Sequence, residues 1–92
     1  MRSYFENKGA ELLFAEIIQH VVMARVKHER FAEGVYEALG ILGEEYGEVV
    51  RAITKQEGED RLREELLDLI AVAWRMLKRE YEHNDQEEEE RI

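Results

Sequence analysis

The chain has 92 residues, enough for one domain with a modest core, and it carries a net charge of −9 with no cysteine and no proline. This excludes a disulfide framework, a thiol nucleophile and a Cys-based zinc site, and it argues against duplex nucleic acid or an anionic membrane surface as partner, because both require a basic face. Apolar residues at 45% and charged residues at 38%, with only six glycines, favour a compact helical fold over sheet or disorder.

The N-terminal MRSYFENKG turns polar at once, and no apolar run approaches the roughly 20 residues of a membrane span. A cytoplasmic protein that does not engage a membrane is therefore expected. The first predicted helix runs from about Ala10 to Phe31. Leu13, Phe14, Ile17, His20, Val21, Ala24, His28 and Phe31 form its main stripe at the i, i+3, i+4, i+7 spacing of one face. Leu12, Ala15, Ile18, Val22, Met23 and Val26 make the opposite side apolar too, and a helix apolar on two sides needs two neighbours.

The second predicted helix spans Val35 to Thr54. Val35, Leu39, Leu42, Tyr46, Val49 and Ile53 alternate steps of four and three as a heptad-like seam. Gly40, Gly43 and Gly47 share another face, which suggests close approach by a helix or a ligand. KQEGED then breaks the pattern, with Gly58 supplying a turn and Asp60 the expected N-cap. The third helix, from Arg61 to Tyr81, is apolar over most of its circumference through LLDLIAVAWRML and is expected to be the most buried. Residues 1–81 are expected to form one helical domain and 82–92, with a block of four glutamates, a solvated tail. The expected fold is all-α, with three main helices, antiparallel, completing four-helix-bundle-like cores in a homo-oligomer.

The acids are placed unusually. At about 100° per residue, Glu45 falls inside the apolar sector of the second helix between Leu42 and Ala52, Glu48 flanks that sector, and Glu44 lies just beyond. In the third helix Glu65 falls between Val72 and Met76 in angle, with Asp68 one step further round. The short link makes the two helices antiparallel neighbours, so the two pairs converge into four carboxylates. Surface acids on helices usually find a Lys or Arg four residues on. Here the i+4 positions after Glu44, Glu45, Glu48, Glu65 and Asp68 hold Glu48, Val49, Ala52, Leu69 and Val72. Only Arg51 for Glu48 and Arg61 for Glu65 offer partners. Carboxylates held this close raise one another's pKa unless a cation joins them, and an all-oxygen set suits Mg²⁺ or Mn²⁺.

Glu44-Glu45-Tyr46-Gly47-Glu48, then sixteen residues, then Glu65-Leu66-Leu67-Asp68 resembles the EExxE…ExxD signature of the MazG-like all-α nucleoside triphosphate pyrophosphohydrolases. The likeness extends over roughly Ala38 to Leu77. It implies Mg²⁺-dependent cleavage of a nucleotide between its α and β phosphates, with a house-cleaning role. It carries over Glu45, Glu48, Glu65 and Asp68 as metal ligands and Glu44, with Glu48, as catalytic groups. It also implies a homodimer or homotetramer with a nucleotide substrate. Many relatives carry Asn seven residues after the ExxD aspartate, where this chain has Arg75, while a basic residue ten after it is retained as Lys78. Arg75, Lys78, Lys27 and His28 are the substrate-contact candidates, although core packing is the commoner role for such histidines and surface charge the commoner one for Lys27. The alternative reading is a non-catalytic acidic helical oligomer that binds a partner. A single ExxH at Glu80–His83 lacks the second copy that a di-iron bundle requires.

Overall fold

The computed structural model describes residues 2–82, and side-chain surroundings from residue 9 onward. The expected tail lies, apart from Glu82, outside the described residues. Three helices, α1 (Arg2–Lys27), α2 (Val35–Thr54) and α3 (Glu59–Leu77), account for the fold, with no strand among the described residues. α2 has the predicted bounds, while α1 begins earlier and ends earlier than predicted. The His28 N–H donates to the Ala24 carbonyl at 2.8 Å, and the chain then leaves the helix. His28 and Phe31 are thus not on the α1 stripe. Phe31 and Ala32 turn inward as loop residues and form an apolar cluster with Ala38, against which Ile41, Val72, Met76 and Tyr81 pack.

α3 is the central element: α1 and α2 both pack on it and not on each other. The α2–α3 contacts, Ala38 and Ile41 near Val72 and Met76 toward one end and Glu45 near Glu65 toward the other, run antiparallel. The α1–α3 contacts, Glu16 with Arg63, His20 with Asp68 and Arg25 with Glu80, run parallel. Phe14 meets Trp74 edge-on along the same seam, with ring centroids 6.3 Å apart.

Both α2 and α3 end in left-handed turns that are not glycine, at Gln56 (φ 51°) and Arg79 (φ 56°). In each, the next N–H reaches back five residues, Glu57 to Ala52 O and Glu80 to Arg75 O, both at 3.0 Å. This Schellman geometry satisfies otherwise orphaned carbonyls. It also folds each following glutamate back toward its own helix. Asp60 is not the N-cap of α3. Gly58, with a φ of 102° open mainly to glycine, takes that position without a side-chain cap, and Asp60 lies in the first turn, where a negative charge suits the helix dipole.

The seam expected on α2 is rotated. Its inward side runs through Ala38, Val49 and Ala52; of the expected seam Val49 is buried and Leu42 half-buried, whereas Val35, Leu39, Tyr46 and Ile53 are exposed. Small residues face α3 because they let the two backbones approach. An added Cβ at Gly40, Gly43 or Gly47 would meet nothing within 4 Å, so no helix of this chain approaches that face. On α1, Val21 is buried, and Leu12, Leu13, Phe14, Val22, Met23 and Val26 remain open. No helix is long and apolar enough to cross a membrane among the described residues.

Candidate metal centre

The centre is built on the α2–α3 seam. Glu45 sits in the middle of the inward face of α2, at the angle of Ala38 and Val49, so packing that face turns its carboxylate toward α3. Glu65 occupies the facing stripe of α3, and its side chain is only 7% exposed. Asp68, one turn on, is half-buried beside it. Each of the three offers an oxygen, and these atoms lie within 4.8 Å of one another. Three of the four carboxylates expected to converge do so. Glu48 is exposed and lies outside the triad, in a groove with Arg51, Glu57 and Arg61.

All three carboxyls are pushed above the ordinary carboxylate range. For Glu45 the cause is burial first, then the charges of Asp68, Glu65, Glu48 and Glu44. For Glu65 burial again leads, opposed by Arg61 and reinforced by Asp68 and Glu48. For Asp68 burial leads, opposed by His20 and reinforced by Glu64. Glu48 therefore adds its charge to the cluster without entering it. Two side chains meet it: Arg61 Nη2 is 3.0 Å from Glu65 Oε1, and His20 Nε2 is 3.5 Å from Asp68 Oδ1.

The donor set fits a hard divalent cation. It is all oxygen, it carries excess negative charge, and its span is close to the roughly 4.2 Å between opposite ligands of Mg²⁺ bound at about 2.1 Å.

Glu45 and Asp68 of the triad border an open cavity of about 740 Å³ between the three helices, within the size range of small-molecule sites. Glu44, Glu45 and Asp68 line one part of it, and Lys27, His28 and Arg30 another, over an apolar floor that includes Phe31, Ile41 and Val72. Glu44, Lys27 and His28 thus stand where a ligand of the triad is accessible. Lys78 is exposed at the C-cap of α3 and is not in the lining.

Arg75 lines the cavity but is committed to structure. It is buried and donates through Nε to Glu80 Oε1 at 2.7 Å, and through its terminal nitrogens to the carbonyls of Ala24 at 3.3 Å and Glu29 at 3.5 Å. Its guanidinium lies 4.8 Å from the Phe31 ring centroid. It does not reach for Asp68. The sequence placed His20 among core histidines, whereas the fold places it against Asp68. The signal for that contact was its position on the inward stripe of α1, but only the packing of α1 on α3 identifies the partner.

The fold and the site together define an all-α domain with a carboxylate triad beside a cavity of mixed charge. Comparison with protein-family models, curated proteins and solved structures gives no match for this chain.

Proposed function

We propose that this chain is a Mg²⁺-dependent nucleotide pyrophosphohydrolase that cleaves a nucleoside triphosphate between its α and β phosphates, and that it works as a homodimer or homotetramer. The observation that carries the reading is the convergence of Glu45, Glu65 and Asp68 from two helices onto one point beside a cavity large enough for a nucleotide. The resemblance of the EExxE and ExxD stretches to the MazG-like family supports it, as both motifs contribute residues to the triad. When bound, the ion would offset phosphate charge and orient the attacking water, a service that an acidic protein needs before it can hold a triphosphate.

The protein's own groups divide the remaining work. Glu45, Glu65 and Asp68 hold the ion, and His20 steadies Asp68. Glu44, exposed on the cavity rim, accepts a proton from water. Lys27 and His28, at the end of α1, offer positive charge and hydrogen bonds to the ligand across the cavity. Exposed apolar residues on α1 and α2, among them Leu12, Val26, Leu39 and Ile53, supply the surface on which copies of the chain would associate.

The test is release of pyrophosphate from a panel of ribo- and deoxyribonucleoside triphosphates with and without Mg²⁺. The wild type is expected to turn over at least one of them only with metal. Asp68→Asn and Glu45→Gln are expected to lose about 10²-fold or more in turnover, the scale of a preorganised electrostatic contact. Circular dichroism should show both variants still helical. If the wild type hydrolyses no nucleotide under any divalent cation, the alternative of an acidic partner-binding oligomer takes its place.

A further inference from the structure

We propose that Arg61 is a built-in counter-ion that occupies Glu65 in the metal-free protein and must leave it when the metal binds. This rests on reading the triad as a metal site.

A carboxylate as enclosed as Glu65 needs a cation or a proton. The fold supplies Arg61 from one turn earlier on α3, with Nη2 3.0 Å from Glu65 Oε1. Among the described residues no other Lys or Arg is in ion-pair contact with the triad. Glu45 makes no ion pair, and Asp68 has only His20.

Helix energetics do not explain this placement. Arg61 is the third residue of α3, where the positive end of the helix dipole disfavours a cation. A basic residue N-terminal to its acidic partner at i,i+4 is also the less favourable order. What holds the guanidinium there is the buried carboxylate.

The contact is also built to be given up. The Arg61 side chain is 51% exposed, and Glu64 and Glu57 wait at 3.8 Å and 3.9 Å from its other nitrogens. Glu57 is brought there by the Schellman turn at Gln56. A guanidinium displaced from Glu65 by a divalent ion therefore moves to partners already beside it. The metal-free site is thereby kept partly neutralised, and metal affinity is lowered by the cost of that displacement.

The experiment is Mg²⁺ and Mn²⁺ titration by calorimetry, with melting curves, on wild type, Arg61→Gln and Arg51→Gln. Arg51 pairs with Glu57 at 3.5 Å and does not touch the triad, so its variant removes the same charge without the contact. Arg61→Gln is expected to bind metal about 5-fold more tightly than wild type, the upper end for an ion pair with a half-exposed partner. Arg51→Gln should differ by no more than about 2-fold, the effect of a screened charge. Without metal, Arg61→Gln should melt below wild type, and saturating Mg²⁺ should remove the difference. On intact wild type, the Arg61 Nε–H resonance should shift on addition of Mg²⁺.

Affinity in Arg61→Gln equal to wild type or to Arg51→Gln, or an Arg61 resonance indifferent to metal, overturns the counter-ion role while leaving the metal site standing. Absence of metal binding in all three proteins overturns the site itself.

Discussion

At the scale of single residues, Glu45 carries the clearest cost. It is half-buried against α3, faces Glu65 and Asp68, and has no cation in contact among the described residues. Burial and those neighbouring charges raise its folded pKa above the unfolded value near 4.5. The sign follows from proton linkage. Between the unfolded and the raised folded pKa the native state holds more protons than the unfolded chain, so metal-free stability falls as pH rises through that window. Above the folded pKa the full penalty is present. Glu45→Gln removes the charge and keeps the shape. Without metal it should raise the melting temperature at pH 7 and flatten the decline above pH 4.5. With saturating Mg²⁺ the order should reverse, because only wild type gains binding free energy in the native state. Melting curves across pH, with and without metal, check both signs. A metal-free variant no more stable than wild type at pH 7 would mean that the triad is not strained. Glu65→Gln is a poorer probe, since it also breaks the bond to Arg61.

At the scale of elements, what fixes α1 on α3 is a buried polar knot as much as apolar contact. Glu80 accepts from both Arg75 and Arg25, and Arg75 also takes the carbonyls of Ala24 and Glu29 where α1 ends. Burial alone would raise the Glu80 pKa, but hydrogen bonds and charge from the two arginines outweigh it and hold the carboxyl below its ordinary value. Its contribution is therefore present above pH 4.5 and is lost as pH falls through the lowered folded pKa, the opposite direction to Glu45. Removing Arg75 takes one of its two guanidinium partners from Glu80 and a donor from each of the Ala24 and Glu29 carbonyls. Arg75→Met is expected to cost about 2 kcal/mol, the scale of a lost hydrogen bond to a charged group. Hydrogen exchange should quicken first in the second half of α1 and in the 28–34 loop. Unchanged exchange there, with unchanged stability, would show that the knot is dispensable and would return Arg75 to the substrate candidates.

At the scale of the whole molecule, the single chain is broad and thin. Its Cα radius of gyration is 16.0 Å and its extents are 50 × 36 × 18 Å, whereas a compact chain of this length has a radius of roughly 12 Å. The buried apolar residues are few and mostly small, and Val21 is the largest side chain that is fully enclosed. Meanwhile Leu12, Phe14, Val26, Tyr36, Leu39, Tyr46 and Ile53 are each more than half exposed. So much uncovered apolar surface around so small a core predicts that the chain does not persist as a folded monomer at micromolar concentration. Sedimentation should find a multiple of 10.9 kDa, and dilution should lower the melting temperature. A folded species at the monomer mass would refute this. The open glycine face of α2 offers a finer probe within the same experiment. Gly43→Leu should weaken assembly if that face is covered by another copy, because within one chain a side chain there meets nothing.

The sequence by itself determined the helices and the acids. Absence of proline, the 3.6-residue period and the Gly58 break mark α2 and α3 to within a few residues, since these signals are local. The angular arithmetic placed Glu45 and Glu65 on buried faces, because position around a helix depends only on spacing. Other features depend on which face each neighbour takes. The heptad seam of α2 was right at Val49 but not at Leu39, Tyr46 and Ile53, because α3 packs on Val49 together with the smaller residues Ala38 and Ala52, where backbones approach more closely. α1 was extended to Phe31 because His28 and Phe31 keep the helical period. Tertiary burial of Phe31 and the hold of Arg75 on the Ala24 and Glu29 carbonyls draw the chain out of the helix instead. Glu48 has the same spacing as the ligands but lies on the flank, so its separation from the triad is a matter of packing angle. The pairing of His20 with Asp68 and of Arg25 with Glu80 joins residues far apart in the chain. Such contacts leave no periodic trace, and only the docking of α1 along α3 decides them.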